Sequence, residues 1–104
     1  MVIQGAGGLG IAACAVAKEM GAGLVIAVDR IPERLTLAQA FGADTVINLD
    51  ELPTPEERAA RVHELTGGDG ADVACEFVGV PGVVQEGLTY LRPGGRYLWG
   101  GNIM

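Results

Sequence analysis

Short apolar runs alternate with amphipathic stretches along the whole chain. The apolar runs, which predict strands, cover residues 1–4, 24–28, 45–48, 71–77 and 96–99. The amphipathic stretches, which predict helices, cover residues 8–20, 32–41, 55–66 and 82–91. This alternation is typical of an α/β domain with a parallel sheet. With right-handed crossovers it predicts a doubly wound Rossmann sheet of five strands in the order 3-2-1-4-5.

Helical spacing also predicts which side chains of each helix face the sheet. The predicted inward residues are Leu9, Ala12, Ala13, Val16 and Met20 in the first helix, Leu37, Ala38 and Phe41 in the second, and Val84, Leu88 and Leu91 in the fourth. Thr54, Pro55 and Glu57 form a capping signature that fixes the start of the third helix. Residues 92–95 predict a turn before the last strand.

A glycine-rich turn separates the first predicted strand from the first helix. Gly5, Gly7 and Gly10 have the Gly-x-Gly-x-x-Gly spacing of a dinucleotide-binding turn. We expect Gly5 to permit the sharp turn, Gly7 to let a pyrophosphate approach the backbone, and Gly10 to let helix and strand pack closely. The N–H groups around Gly8 and Leu9 would face the phosphates, where the helix dipole adds roughly half a positive charge.

The acidic residue that completes this pattern ends the second predicted strand. Asp29 follows Gly10 by 19 positions, the separation that a strand-helix-strand unit needs. Its carboxylate could accept hydrogen bonds from both ribose hydroxyls, whereas a 2′-phosphate at about 4 Å would be repelled by roughly 1 to 4 kcal/mol. The pattern therefore favours NAD over NADP, although the positive charge of Arg30 next to Asp29 could reduce this preference.

Glycines also follow the fourth and fifth predicted strands. Ligands of doubly wound sheets bind beyond the carboxyl ends of the strands. The residues at these two ends, predicted to contact the cofactor, are Phe77, Val78, Gly79, Trp99, Gly100 and Gly101. Glycine at a strand end lets a ligand approach the backbone, although ordinary loop glycines remain an alternative.

Composition restricts the classes of function. The chain has 104 residues, 49% of them hydrophobic, and is predicted to be one domain. Its net charge of −6, with seven Lys and Arg, argues against nucleic-acid or anionic-membrane partners. The sequence shows neither a signal peptide nor an apolar span of bilayer length, so a cytoplasmic location is expected.

Few other residues suggest chemistry. Cys14 and Cys75 have no metal-ligand spacing and are predicted to be buried hydrophobes. His63 lies on a polar helix far from the glycine turns, and the acidic residues around it predict a solvated helix face. The chain therefore contains no predicted catalytic residue and no predicted metal ligand.

Taken together, these motifs resemble the coenzyme domain of the medium-chain dehydrogenase/reductase superfamily, in particular its zinc-type alcohol, polyol and threonine dehydrogenases. Besides the glycine turn and Asp29, the markers are the segments 33–35, 41–44, 65–68, 70–73 and 91–95, with Glu76 and Gly79. The resemblance implies hydride transfer between a nicotinamide cofactor and an alcohol or carbonyl, with zinc in a separate catalytic domain. It also implies a homo-oligomeric parent enzyme.

The same resemblance implies roles for single residues. The N–H groups of Gly8 and Leu9 would bind the pyrophosphate, and Leu9 would also pack on the nicotinamide. Asp29 and Arg34 would lie on either side of the adenosine ribose, and Phe77 and Val78 would line the adenine side. The main chain from Trp99 to Gly101 would approach the nicotinamide. Nothing in the chain corresponds to the family's catalytic domain or sixth strand. Residues 1–104 are therefore predicted to be one NAD(P)-binding domain, a fragment of a larger dehydrogenase that is inactive alone.

Two other functions fit the fold. One is a regulatory module that senses NAD(H) or adenine nucleotides without chemistry. The other is an S-adenosylmethionine methyltransferase, whose glycine turn would usually follow an acidic residue where this chain has Gln4.

Overall fold

The computed structural model of the protein describes residues 1–100. Strands and helices alternate as predicted. In chain order the elements are β1 (Val2–Gln4), α1 (Gly8–Glu19), β2 (Ile26–Asp29), α2 (Pro32–Ala40), β3 (Thr45–Asn48), α3 (Pro55–Leu65), β4 (Ala71–Glu76), α4 (Pro81–Thr89) and β5 (Leu91–Trp99).

The strands form one parallel sheet in the order β3-β2-β1-β4-β5, which confirms the predicted topology. Gln4 at the end of β1 pairs with Val28 of β2 on one side and with Glu76 of β4 on the other. Glu76 in turn pairs with Trp99 at the end of β5. The four strand ends that the sequence singled out therefore lie along one edge, which we call the carboxyl edge.

Two apolar cores cover the two faces of the sheet. Successive strand residues point to opposite faces, so Val2 belongs to one core and Ile3 to the other. The core of Val2 contains Val62 of α3 and Tyr90, which follows α4. The core of Ile3 contains residues of α1 and α2, such as Cys14 and Ala38. The sheet is thus sandwiched between two helical layers.

Most of the predicted inward face of α1 is wrong, although Ala13 packs against the core as predicted. Leu9, Val16 and Met20 are 68%, 54% and 82% exposed. The buried residues of the helix are instead Gly10, Cys14 and Ala17. Helix and sheet approach so closely that only small residues fit between them, whereas a hydrophobicity pattern selects the large ones.

In α2 and α4 the spacing also selected residues that are exposed, and in α2 it missed Leu35, which is buried. Ala38 is buried as predicted, but Leu37, Phe41 and Leu88 are largely exposed. A side chain on Gly87 of α4 would lie 2.4 Å from Gln4 Oε1 and from the Tyr97 ring, so contact with the sheet again requires a small residue. Leu91 does not belong to α4, because it begins β5.

Many element ends lie one or two residues from prediction, and the starts of two strands differ most clearly. The strand β2 begins at Ile26 instead of residue 24. The predicted turn at residues 92–95 is a bulge inside β5, because Ala71 pairs with Leu91 while Val73 pairs with Arg96. The start of α3 agrees with its capping signature, since Thr54 Oγ1 accepts a hydrogen bond from the Glu57 N–H at 3.2 Å.

Both cysteines are buried free thiols, as predicted, and burial raises the pKa of each. His63 packs against the carbonyl oxygen of Thr89, at 3.0 Å from its Nε2. In the part of the chain that the structure describes, no helix is both long and apolar enough to cross a membrane.

Candidate functional site

The glycine turn leaves β1 through Gly5, whose φ of +99° favours glycine. The Gly5 N–H donates to the Val28 carbonyl oxygen at 2.8 Å, which ties the turn to β2. A Cβ on Gly5 would lie 3.0 Å from Val78 Cγ2. The turn is therefore packed against the segment that follows β4.

Gly10 lies where α1 crosses over the turn. A Cβ on Gly10 would lie 1.7 Å from the Gly5 carbonyl oxygen and 2.8 Å from the Gly5 carbonyl carbon. Both of these are backbone atoms, so no rotation of a side chain could relieve the overlap. Only glycine fits between helix and turn in this arrangement.

Gly7 and Gly8 are different, because the fold does not require glycine at either position. A Cβ on either residue would have no heavy atom within 4 Å, and neither has a positive φ. The first hydrogen bond of α1 runs from the Ile11 N–H to the Gly7 carbonyl oxygen. The N–H groups of Gly8 and Leu9 precede it and are open at the positive end of the helix dipole. The turn can therefore accept an anion close to its backbone.

Asp29 anchors the turn and the start of the next loop through its carboxylate. Its Oδ2 accepts the Ala6 N–H at 2.8 Å, and its Oδ1 accepts the Arg30 and Ile31 N–H groups at 2.6 and 3.0 Å. Burial alone would raise the pKa of Asp29, but these hydrogen bonds and the nearby Arg34 guanidinium hold it below its usual value. The carboxylate is thus ionised and fixed in position beside the glycine turn.

A cleft of about 290 Å³ opens at the carboxyl edge. It is lined by Gly5, Gly7, Val28, Asp29, Arg30, Arg34, Leu49, Phe77 and Val78. Seven of these nine residues were predicted to contact the cofactor, Arg34 through the family resemblance, and Val28 directly precedes the predicted Asp29. Leu49 was not, because the residue after the short β3 has no distinguishing pattern.

A smaller, mainly apolar cavity of about 170 Å³ borders the cleft and shares Gly5, Val28, Leu49 and Val78 with it. Arg58 and Glu86 also line this cavity. The Arg58 guanidinium donates to both Glu86 carboxylate oxygens, at 2.7 and 2.8 Å, and to the Leu52 carbonyl oxygen.

The Arg58–Glu86 pair joins α3 to α4. Burial alone would raise the pKa of Glu86, but hydrogen bonds from Arg58 and Tyr90 lower it. Burial and Glu86 together raise the pKa of Tyr90. Sequence reasoning missed this cluster because Arg58 was interpreted as part of a solvated helix face and no spacing pattern pairs it with Glu86.

The segment after β4 is held by a buried carboxylate. Glu76 is fully buried, and its Oε1 accepts hydrogen bonds from the Val78 and Gly79 N–H groups, both at 2.5 Å. Gly79 has a φ of +83°. Within the described residues Glu76 Oε2 has no hydrogen-bond partner.

The end of β5 contacts the same segment. The Gly100 N–H donates to the Glu76 carbonyl oxygen at 2.8 Å, and a Cβ on Gly100 would lie 2.5 Å from the Phe77 ring. Trp99 is 60% exposed beside it but does not line the cleft. Gly101 lies outside the described residues.

The two arginines are arranged differently. The Arg30 side chain turns away toward Asp50, with 3.0 Å between Nε and Oδ1, although the residue still borders the cleft. The Arg34 guanidinium lies 3.9 Å from Asp29 Oδ2 and remains half exposed. Arg34 is therefore the cation closer to the Asp29 carboxylate.

A larger cavity of about 360 Å³ lies at the opposite, amino edge of the sheet. It is lined by Met1, Ala22, Gly23, Leu24, Thr66, Asp69, Gly70, Ala71, Asp72 and Arg92. None of the predicted site residues contributes to it. Within residues 1–100, no group of three or more His, Cys, Asp or Glu side chains could hold a metal ion.

Comparison with known proteins gives consistent matches. Residues 8–104 match the protein family described as zinc-binding dehydrogenase. The chain is 42% identical over 97% of its length to a probable D-xylulose reductase A of Emericella nidulans, and 40% identical over 91% to an L-threonine 3-dehydrogenase of Bacillus subtilis. Among solved structures, an alcohol dehydrogenase from Thermotoga maritima superposes on 99% of the chain with a TM-score of 0.93 and 40% identity.

The chain spans about a quarter of the length of these proteins. It covers 28% of the reductase, 26% of the threonine dehydrogenase and 28% of the Thermotoga chain.

Proposed function

Because the chain belongs to the zinc-binding dehydrogenase family, the medium-chain zinc-type alcohol dehydrogenases, we propose that it is the NAD-binding domain of a larger alcohol or polyol dehydrogenase. The parent enzyme would transfer hydride between a nicotinamide cofactor and an alcohol or carbonyl. The chain supplies the cofactor's binding surface and leaves substrate chemistry to the rest of the enzyme.

One observation carries this proposal. A glycine turn with open N–H groups lies directly beside an anchored carboxylate, in a cleft at the carboxyl edge. The turn offers an anion site and the carboxylate offers a hydroxyl site, which are the two features that a pyrophosphate joined to a ribose requires. The residues present therefore fit a nicotinamide dinucleotide.

We assign roles along the cleft accordingly. Gly5, Gly7, Gly8, Leu9 and Gly10 form the pyrophosphate turn. Asp29, Arg30 and Arg34 hold the adenosine ribose, and Phe77, Val78 and Gly79 form the wall on the adenine side. Trp99, Gly100 and Gly101 are assigned to the nicotinamide side, together with the exposed Leu9.

NAD is proposed as the preferred cofactor because Asp29 is ionised and its position is fixed. Three backbone N–H groups hold this carboxylate at the ribose end of the cleft. A 2′-phosphate placed there would meet a negative charge at close range, which costs roughly 1 to 4 kcal/mol at about 4 Å. Arg30, whose guanidinium pairs with Asp50, is turned away from such a phosphate.

Zinc is proposed for the part of the enzyme outside this chain. When bound there, it would polarise the oxygen of the substrate. The residues of this chain would bind and orient the dinucleotide beside it, and none of them is proposed as a metal ligand.

The experiment is a titration of the purified chain with ADP-ribose, NADH and NADPH, for the wild type, Asp29→Asn and Asp72→Asn. Asp72 is a matched control, because it is an exposed acidic residue at the amino edge that pairs with Arg92. We expect the wild type to prefer NADH by about tenfold or more, Asp29→Asn to lose most of that preference, and Asp72→Asn to keep it.

Two outcomes would separate the parts of this proposal. Failure of all three ligands to bind the wild type would contradict the cofactor site itself. Equal wild-type affinities for NADH and NADPH would leave the site in place but contradict the preference assigned to Asp29.

A regulatory sensor of NAD(H) is the alternative that the same titration tests. A sensor should bind NADH much more tightly than ADP-ribose by itself and change its oligomeric state on binding. A dehydrogenase domain lacks the rest of its nicotinamide pocket, so NADH and ADP-ribose should bind with similar affinity. A methyltransferase would instead bind S-adenosylmethionine.

A homo-oligomeric parent enzyme is also proposed. Separately, we expect the isolated chain to associate through the exposed edge of β5, where the family has a sixth strand. Among the described strands, β5 pairs with β4 only, and Leu98 and Trp99 are exposed on it. An unpaired apolar edge favours pairing with another chain. We expect concentration-dependent dimers by light scattering that Leu98→Lys weakens. A monomer at all concentrations would contradict this surface.

A further inference from the structure

Glu76 is a fully buried acidic residue in the middle of the sheet's carboxyl edge. It pairs with Gln4 of β1 on one side and Trp99 of β5 on the other. None of the ion pairs among residues 1–100 includes it. Burying a carboxyl group without a cationic partner costs free energy unless hydrogen bonds compensate. Its hydrogen bonds therefore indicate why the residue is there.

Those hydrogen bonds come from the backbone N–H groups two and three residues further along the chain. One carboxylate oxygen accepts both the Val78 and the Gly79 N–H groups. The chain turns at this point through Gly79, whose positive φ takes its backbone out of the strand conformation. The two N–H groups can no longer join a strand ladder, and the Glu76 side chain supplies their acceptor.

This turn forms one wall of the proposed cofactor cleft. Val78 lines both the cleft and the apolar cavity beside it. It also contacts the glycine turn, because a Cβ on Gly5 would lie 3.0 Å from Val78 Cγ2. A shift of the Val78 backbone would therefore change the width of the cleft and disturb the glycine turn together.

The backbone of Glu76 fixes the neighbouring strand end as well. Its carbonyl oxygen accepts the Gly100 N–H, and Gly100 packs against the Phe77 ring. One residue thus ties together the segments after β4 and β5. Both segments are assigned to the cofactor under the proposed function.

We propose that Glu76 is a positioning residue for the dinucleotide, which acts by holding the Val78–Gly79 backbone at the distance from the glycine turn that the cofactor needs. The inference rests on the proposed cofactor site. Glu76 itself does not touch the ligand. Its carboxylate Oε1 carries the effect, while the unpartnered Oε2 makes no hydrogen bond within the described residues.

The two oxygens lead to a specific pair of variants. Glu76→Gln keeps an acceptor for the two N–H groups and places an amide where Oε2 now lies. Glu76→Met has a similar length and removes the acceptor, so both N–H groups lose their partner. Val62→Ala is the control, because it truncates a fully buried core residue that lines neither the cleft nor the cavity beside it.

The measurement is the affinity of each variant for ADP-ribose, at a temperature well below each melting temperature. We expect Glu76→Gln to bind within about threefold of the wild type and Glu76→Met to bind at least about tenfold more weakly. Val62→Ala should melt at a lower temperature but bind as the wild type does. A residue that only stabilises the fold would instead give Glu76→Met and Val62→Ala the same binding behaviour.

Glu76→Met with wild-type affinity, or Glu76→Gln as weak as Glu76→Met, would overturn the inference. If Glu76→Met does not fold, Glu76→Asp replaces it, because a shorter side chain keeps the carboxyl group but cannot reach the Val78 and Gly79 N–H groups in their present positions. It should bind at least about tenfold more weakly, and wild-type affinity would again overturn the inference. If the wild type does not bind ADP-ribose, the proposed function is contradicted instead.

Discussion

The two edges of the sheet each carry a cavity, and the larger one is not the candidate site. The amino edge holds about 360 Å³ and the carboxyl edge about 290 Å³. At the amino edge Asp72 pairs with Arg92, and Asp44 accepts the Val25 N–H at 2.8 Å, so these groups have partners within the fold. At the carboxyl edge the N–H groups of Gly8 and Leu9 are open, whereas those of Gly5 and Ala6 have partners. Unsatisfied, fixed polar groups identify this site better than volume does.

The two edges also differ in whether the fold requires their glycines. At the amino edge Gly70 is required by the fold, because its φ is +98° and a Cβ would lie 2.7 Å from the Arg92 nitrogen. At the carboxyl edge Gly10 is required because a Cβ would overlap the Gly5 backbone, and Gly5 because its φ is positive, but Gly7 and Gly8 are not required. Space that the fold leaves empty beside an anion-binding helix end is available to a ligand.

The largest effect we expect comes from Gly10→Ala. The new Cβ would overlap the Gly5 backbone, so α1 must move away from the turn, at a cost of about 3 kcal/mol in the free energy of unfolding. Gly82→Ala in α4 is the control, since a Cβ there meets nothing within 4 Å and alanine favours the helix by up to about 1 kcal/mol. Urea denaturation measures both. Equal stability of the two variants would show that helix and turn are not in close contact.

The next effect separates the two edges by ligand binding. Gly7→Ala and Gly23→Ala each add a methyl group where no atom lies within 4 Å, Gly7 in the cleft and Gly23 in the amino-edge cavity. Both should change the free energy of unfolding by no more than about 0.5 kcal/mol. Gly7→Ala should weaken ADP-ribose binding by at least about tenfold, and Gly23→Ala should not.

Calorimetric titration distinguishes the outcomes for this pair. Unchanged binding by Gly7→Ala would contradict the pyrophosphate assignment. Equal loss by both variants would point to a general effect on the fold instead.

The carboxyl edge was also the more predictable edge from sequence. Asp29 and the glycine turn could be placed because the strand-helix-strand spacing constrains them, and the register of β1 with β2 agrees with that spacing. The sheet order followed from the alternation of elements and the handedness of crossovers. These are rules of local pattern and topology, which a sequence displays directly.

What the sequence did not predict depends on close approach in three dimensions. Most of the predicted inward face of α1 was wrong because Gly10, Cys14 and Ala17 are buried for their small size. The Arg58–Glu86 pair and the bonds from Glu76 to its own turn join residues whose partners no spacing rule specifies. Asp29 was predicted as a ribose ligand, but its bond to the Ala6 N–H could be seen only once the turn was folded beside it.

The smallest effect we expect compares Asp29 at the carboxyl edge with Asp44 at the amino edge as pH falls. Hydrogen bonds from Lys18 and the Val25 N–H lower the pKa of Asp44. Burial alone would raise the pKa of Asp29, but its hydrogen bonds from backbone N–H groups and the Arg34 charge lower it below the usual value. A folded-state pKa below the unfolded value of 3.8 means that each carboxylate stabilises the fold above about pH 4. Protonation favours the unfolded chain, so this contribution is lost as pH falls through the folded pKa.

The two carboxylates should differ in how much of the acid sensitivity they cause. Side-chain exposure is 11% for Asp29 and 36% for Asp44, so water and salt screen the Asp44 interactions more strongly. The free energy of unfolding should therefore fall less between about pH 5 and pH 3 in Asp29→Asn than in Asp44→Asn. Urea midpoints measured across this pH range test the difference. Because Asp29 Oδ2 accepts the Ala6 N–H of the glycine turn, acid should weaken ADP-ribose binding in parallel in the wild type. A steeper pH profile in Asp29→Asn than in Asp44→Asn would contradict the anchoring role of Asp29.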